Sequence, residues 1–284
     1  MAVTNGWGQG VINNTNGWGK LATNNIGAGS VYENSASGDT VLVAPSAPSF
    51  ASTQSFDFDG VDDFIGVSSL DTSVLPTGSF SVSVWFNATT NAHGGLFQIG
   101  DFAGNTAINV AKRPNGALRF IVNLSGGSVG NNTTNSKYNL NVWNNVVFVY
   151  DNSITTGALK FYVNGVQELS RNESPSGQTI SYPAGSELRI GQYNSSGSTQ
   201  FFFTGNIDET ALFNSAFTSS DVSSIYNSGV PNDISSLNPV AWYRMGEHAT
   251  WDGSKWTLID QGTSSNNAES VNMVEADRET DVPT

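Results

Sequence analysis

The stretch SFSVSVWF, residues 79–86, alternates polar and apolar side chains over its first six positions and ends on two aromatics. In an extended chain successive side chains point to opposite faces. Phe80, Val82, Val84 and Phe86 then share one face, and Ser79, Ser81, Ser83 and Trp85 the other. A helix would scatter both sets around its axis, so the stretch reads as a strand with an apolar inner face. Similar runs surround it. SFDFDG (55–60) precedes it. GLFQIGD (95–101), ALRFIVNL (117–124), VWNNVVFVYD (142–151), ALKFYVNG (158–165), ELRIGQY (187–193) and FFFTGNIDETALF (201–213) follow. Gly, Asn and Asp stand between them as turn formers. Asn164-Gly165 is a type I′ hairpin signal, which puts Phe161 and Val163 on one face and Tyr162 on the other. Many short strands without intervening helices predict an antiparallel sandwich or barrel. TSSDVSSIYNSG (218–229) alone reads as a helix, with Thr218 as N-cap, Asp221 as its capping-box partner and Gly229 at its end. Val222 and Ile225 would pack down on the sandwich.

Composition narrows the function classes. Charged residues are 12% of the 284, about half the usual share. Eleven Lys and Arg stand against 24 Asp and Glu, a net charge of −13. That balance argues against nucleic acid and against anionic lipid, and is compatible with calcium. The absence of cysteine excludes disulfides, thiolate metal sites and a cysteine nucleophile. No apolar run approaches a membrane span. The opening MAVTNGWGQG has neither a basic n-region nor an apolar h-region, so no secretory leader is expected.

The order of phrases resembles the laminin-G-like, concanavalin A-like jelly roll. SFDFDGVDDFIGV (55–67), SFSVSVWF, VWNNVVFVYD, LKFYVNGVQ (159–167), LRIG (188–191) and FTGNIDETALFNSAFTSSDVSSIY (203–226) follow the family's sequence of strands and its closing helix. The resemblance implies an all-β, antiparallel two-sheet jelly-roll sandwich over residues 51–230. Residues 1–50 are expected to form an extended N-terminal docking arm, and 231–284 a C-terminal extension. Within the extension, NPVAWYRMGEHATWDGSKWTLIDQGTSSNNAES (238–270) resembles the phrase that normally begins such a domain. Residues 240–270 are therefore expected to supply a permuted strand beside the closing GNIDETALF strand, burying Trp242 or Tyr243; the alternatives are a strand given to a neighbouring protomer and the stump of a lost second repeat. Trp85 and Trp143 lie within strand patterns and read as core, with ligand stacking the alternative.

Fold alone does not give function, since this jelly roll serves hydrolases, lectins, adhesins and spacers. Retaining glycosidases of this architecture carry two glutamates flanking an aspartate on one strand. In NIDETAL (206–212), Asn206 stands at the first position, and Thr210 or Ala211 at the last. Asp208 and Glu209, as neighbours on a regular strand, would point to opposite faces. His93 and His248 lack metal-type spacing and read as solvated loop residues. No phosphate-cradling loop or nucleophile elbow appears. No enzyme is expected.

Two candidate sites remain. Family members often hold calcium at a loop edge, and DFDGVDDF offers Asp57, Asp59, Asp62 and Asp63 within seven residues. Gly60 permits the turn that would gather them; the alternative is a solvated loop of turn-forming aspartates. For a glycan, QYNSSGSTQFFF (192–203) offers Tyr193 to stack on a sugar ring, and Asn194 and Gln200 to bond hydroxyls. The alternative is that its aromatics are core.

The N-terminal arm repeats Asn-Gly-Trp-Gly, setting Trp7 and Trp18 between glycines. Indoles on such a backbone read as anchors in a partner's pockets. The phrase is similar to the starts of tailed-bacteriophage structural proteins. That resemblance implies a non-enzymatic virion protein (capsid decoration, head fibre or tail attachment), multimeric in its particle and assembled in the host cytoplasm. It would dock to other virion proteins through the arm and display the jelly roll, to host-surface or environmental glycans. The alternative is a secreted or surface carbohydrate-binding adhesin of a bacterium.

Overall fold

The computed structural model describes residues 50–101, 105–133, 135–171, 177–195 and 199–284, and within residues 1–49 the backbone of four short strands. Two compact units emerge, Met1–Phe50 and Ala51–Thr284. In the first, β1 (Val3–Thr4) pairs with β2 (Gly10–Val11), and β3 (Val31–Asn34) with β4 (Asp39–Leu42). Trp7 and Trp18 lie outside the described residues.

The second unit begins with β5 (Ser55–Asp59), β6 (Phe64–Val67), β7 (Phe80–Ala88), β8 (Gly94–Gly100), β9 (Thr106–Lys112), β10 (Leu118–Leu124) and β11 (Gly127–Asn132). There follow β12 (Trp143–Tyr150), β13 (Leu159–Val163), β14 (Val166–Arg171), β15 (Glu187–Ile190), β16 (Gln192–Ser195), β17 (Thr199–Phe202) and β18 (Thr204–Phe213). Helix α1 (Ser219–Tyr226) comes next, then β19 (Pro239–Tyr243), β20 (Ala249–Trp251), β21 (Trp256–Leu258), β22 (Ala268–Val271) and β23 (Arg278–Glu279). The strands form a two-sheet antiparallel sandwich. One sheet runs β11-β10-β9-β8-β15-β6-β22-β21-β20; the other runs β14-β13-β12-β7-β18-β5-β23, with β19 also on β18. The fold is the jelly-roll sandwich that the alternating strands and the family resemblance imply.

Phe80, Val82, Val84 and Phe86 of β7 point into the core, where Phe86 packs edge-on against Phe203 and Phe80 against Phe148. The opposite face of β7 is buried too, because α1 lies over it. Trp85 stacks on Tyr226 with ring centres 5.8 Å apart. The Thr218–Asp221 capping box starts the helix, and Val222 and Ile225 are buried. Asn227 ends it at φ 43°, two residues before Gly229, because asparagine tolerates the left-handed conformation there. Asn164 and Gly165 both have positive φ, as the hairpin between β13 and β14 requires. Trp143 departs from the expectation of a core position. It is only half-buried, and its indole N–H donates to Asp281 Oδ1 at 3.0 Å.

The C-terminal segment is threaded through both sheets. Strand β19 pairs antiparallel with β18 in the same chain, Ala211 opposite Trp242 and Thr210 opposite Tyr243. Trp242 is 5% exposed and Tyr243 1%. Strand β22 inserts beside β6, and β23 borders β5. Asp260 ties the return loop to β19. Its Oδ1 accepts the Trp242 and Gly262 amides, each at 2.8 Å, and its Oδ2 accepts Ser264 Oγ at 2.7 Å and the Asn266 amide at 3.1 Å.

Strand β18 has β7 along one side, while β5 takes the first part of its other side and β19 the second. At the changeover a bulge sets Glu209 and Thr210 between Asp208, opposite Trp85, and Ala211, opposite Ser83. Glu209 sits at φ 41°. The bulge breaks the two-residue alternation, so the expectation that Asp208 and Glu209 point to opposite faces does not hold. Asp208 lies on the Trp85 face, and the Glu209 carboxylate turns back onto that face to accept Trp242 Nε1 at 2.7 Å.

Candidate functional site

The glycan candidate QYNSSGSTQFFF forms the β16–β17 hairpin, with Tyr193 opposite Phe201 and Asn194 opposite Gln200. The hairpin crosses the outward side of β8 rather than standing free. A Cβ at Gly95 would come within 2.2 Å of the Gln192 carbonyl carbon, so only glycine admits this approach. Gln98 pins the hairpin further. Its Oε1 accepts the Asn194 amide at 2.7 Å, and its Nε2 donates to Thr106 Oγ1 at 2.9 Å.

This docking decides the fate of the predicted residues. Tyr193 is 3% exposed, its ring stacked on Phe201 at 4.9 Å, so it is packed beneath the hairpin rather than offered to a sugar. Asn194 is buried as well, while Gln200 is exposed. Phe201 is half-buried, and His93 sets its imidazole edge-on to that ring at 4.6 Å. His93 is therefore part of a ring cluster, not a solvated loop residue. Burial first, then the charges of Arg113, Arg119 and Lys112, hold its pKa below the usual imidazole value.

Beside the hairpin the outward face is half-buried on β10 and exposed on β11, while the outward Ala107, Asn109 and Ala111 of β9 are buried. Inward-facing Ile108, Val110, Phe120 and Val122 fill the core, so Asn109, Arg119 and Ile121 alternate outward. Arg113, Arg119, Ile121, Ser128, Gly130 and Asn132 line a groove of about 350 Å³. Arg113 follows β9 directly and faces Ala117 across a tight turn, its amide donating to the Ala117 carbonyl at 2.8 Å. Arg119 comes two residues after Ala117, which makes the two arginines diagonal neighbours. Asn109 pairs with Ile121 of the groove on one side and with Gln98 on the other. It is 1% exposed, and among the described residues neither atom of its carboxamide has a hydrogen-bond partner. An unpartnered buried amide costs about 1–3 kcal/mol, which makes this one a feature in need of a cause.

Sequence reasoning missed this face. A signal existed: Lys112, Arg113 and Arg119 fall within eight residues of a chain with only 11 cations. Lys112 serves the structure. It is fully buried, donates from Nζ to the Thr90 and Ala92 carbonyls, each at 2.7 Å, and burial brings its pKa down to about 8.

The acidic phrase behaves differently. Asp59, Asp62 and Asp63 each bring a carboxylate oxygen within 4.8 Å of the others; Asp57 is not among them. Asp59 Oδ1 accepts the Val61 amide at 2.7 Å, and Asp63 Oδ2 accepts the Asp59 amide at 3.0 Å. One oxygen of Asp59 and one of Asp63 are thus tied to the turn, in a set of hard oxygens of the type calcium accepts. Burial, opposed by the Asp59 amide and reinforced by Asp59, Asp277 and Asp62, raises the Asp63 pKa to about 6. Asp57 instead lies near Asp277 and Glu279, and burial followed by those charges raises its pKa.

Asp208, Glu209 and Glu247 make a second acidic group, where β18 changes partners. Asp208 accepts Ser52 Oγ and the Glu209 amide. Glu209 Oε1 accepts Arg244 Nε at 3.1 Å, while Glu247 Oε1 accepts the Thr53 and Gln54 amides. Burial is the main cause that lifts both pKa values, Glu209 to about 7 and Asp208 well above the carboxylate range.

A family profile described as the concanavalin A-like lectin/glucanases superfamily matches residues 59–223, more than half of the chain. Among solved structures, a Bacteroides ovatus protein proposed to bind carbohydrate is 15% identical with a TM-score of 0.62, over 86% of this chain and 68% of that one. A native heptameric SAP-like pentraxin of Limulus polyphemus is 14% identical with a TM-score of 0.50, over 75% of this chain and 97% of that one. The CBM40 of a Ruminococcus gnavus IT-sialidase, solved with α2,3 sialyllactose, has a TM-score of 0.46 at 13% identity, over 61% and 97% of the two chains. That last likeness is too distant to argue from, and at these identities the others concern fold. No curated protein matches the chain in sequence.

Proposed function

We propose that this chain, which belongs to the concanavalin A-like lectin/glucanases superfamily, is a non-catalytic carbohydrate-binding protein whose ligand lies on the outward face of β9–β11. One observation carries the reading. On that face two arginines line one groove, Asn109 pairs with its Ile121 and holds a buried carboxamide without a partner among the described residues, and the half-buried Phe201 ring packs on His93, which feels the charges of both arginines. Convergent polar groups next to an aromatic ring are what orient a sugar. The carboxylates of the NIDETAL phrase support a non-catalytic role, since Asp208 and Glu209 are buried and engaged with Ser52, Trp242 and Arg244. The full chain on a glycan array, followed by calorimetry, tests the reading. Phe201→Ala should weaken the interaction by about tenfold, a loss of about 1.4 kcal/mol. Binding untouched by Phe201→Ala and Asn132→Ala together would put the glycan elsewhere, and cleavage of a bound glycan would make the protein an enzyme.

The virion setting belongs to the same proposal and rests on the doubled NGWG phrase. A chain lacking residues 2–45 should stay folded and fail to join the particle. An adhesin on a bacterial surface would use the same groove without that dependence. Calcium is proposed at Asp59, Asp62 and Asp63, where it would bind the turn between β5 and β6 and complete its shell with water or carbonyl oxygens.

A further inference from the structure

The groove also carries information about which glycans it takes. Arg113 and Arg119 line it as diagonal neighbours, and among the described residues neither guanidinium meets a carboxylate. That is unexpected in a chain whose acids outnumber its bases 24 to 11. The contrast with other arginines is direct. Arg189 and Arg244 each bridge to a glutamate, and Arg278 lies over the Trp256 ring at 4.7 Å. Arg113 and Arg119 therefore present two planar donor forks on a wall whose other described lining residues are neutral: Ile121, Ser128, Gly130 and Asn132.

A second, independent observation lies next to it. Asn109 is 1% exposed, borders Ile121 of the groove floor, and holds a donor and an acceptor that no described residue satisfies. The half-buried Phe201 ring packs on His93, an imidazole within reach of the charges of Arg113 and Arg119. A neutral sugar could offer the two guanidiniums only hydroxyl and ring oxygens, which do not match their charge. A sugar bearing an acid group would use both, because a guanidinium fork matches a carboxylate or sulfate with two parallel hydrogen bonds.

We propose that the groove selects acidic saccharides, seating a sugar carboxylate or sulfate on the Arg113–Arg119 pair while a hydroxyl reaches toward Asn109. The proposal rests on the carbohydrate-binding reading above and narrows it to a ligand class. Local charge is what makes it work in so acidic a protein. A long polyanion would be repelled by most of the surface, so short segments or chain ends are favoured.

The test is calorimetry on the full chain with three probes of equal length: an oligogalacturonate, a sulfated galactan oligomer and a neutral galactan oligomer. An acidic probe should bind at least about tenfold more tightly than the neutral one, and 0.5 M NaCl should erase most of that margin. The galacturonate and sulfated arms decide which acid group is preferred. Arg113→Ala and Arg119→Ala should each remove the margin without moving the thermal midpoint, and Arg119→Lys should restore only part of it, having charge but no fork. Equal binding of neutral and acidic probes, or arginine variants that keep the margin, would overturn the proposal and leave carbohydrate binding standing. No binding to these probes or to any glycan on an array would overturn both.

Discussion

Two polar regions of this sandwich are built in opposite ways. Where β18 changes partners from β5 to β19, the carboxylates of Asp208, Glu209 and Glu247 are all engaged, by Ser52, Trp242, Arg244 and the amides of Thr53 and Gln54. On the outward face of β9–β11, Arg113, Arg119 and Asn109 have no such partners among the described residues. Burying charge is costly unless it is paired, so carboxylates engaged in this way, each through at least one oxygen, mark groups that hold the fold. A polar face left unsaturated marks groups kept for something that arrives from solution. Substitutions in the first region should therefore change stability, and in the second, binding.

The largest effects should fall on the junction. Trp242→Ala removes a buried indole from β19 and its bond to Glu209, and should cost about 3–5 kcal/mol in denaturant unfolding. A loss under about 1 kcal/mol would mean that β19 is dispensable to the sandwich. Arg244→Ala leaves the Glu209 charge buried without its cation, at a cost of about 3–5 kcal/mol near pH 8, and less at pH 5, where the carboxyl is protonated.

The pH dependence follows from the same groups. Glu209 holds its proton up to about pH 7 when folded, against 4.5 ordinarily, and Asp63 up to about 6 against 3.8. Between those limits the folded state binds more protons than the unfolded one, so stability falls as pH rises. The thermal midpoint should be higher at pH 5 than at pH 8, and Asp208→Asn should flatten that slope. A midpoint that rises with pH would contradict the assignment.

The groove should behave in the contrary sense. Asn109→Leu replaces an unsatisfied amide by a side chain of similar shape, and should raise stability by up to about 1 kcal/mol while weakening glycan binding. A destabilised variant would show that Asn109 is structural and erase the contrast. The smallest effect expected is that of calcium. It should raise the midpoint by a few degrees at pH 7.5 and less below about pH 6, where Asp63 takes up a proton, and Asp59→Ala with Asp62→Ala should abolish the shift.

Much of this molecule was legible in the chain, and the legible parts share a cause. The alternation of 79–86, the Asn164-Gly165 turn and the Thr218–Asp221 capping box are dictated by the backbone within a few residues, so reading them needs no partner. The pairing of VAWYRM with the closing strand could also be anticipated, since an apolar strand must satisfy its backbone groups. The tertiary structure decided the rest. A bulge at Glu209 reversed the side-chain alternation, and the packing of a hairpin on Gly95 turned Tyr193 from platform to filler. The groove itself exists because β9, β10 and β11 align Arg113, Arg119 and Asn132 across strands. Local periodicity says which face a side chain takes along its own strand. What that face meets depends on register and on the neighbouring strands, and those are settled only when the chain packs.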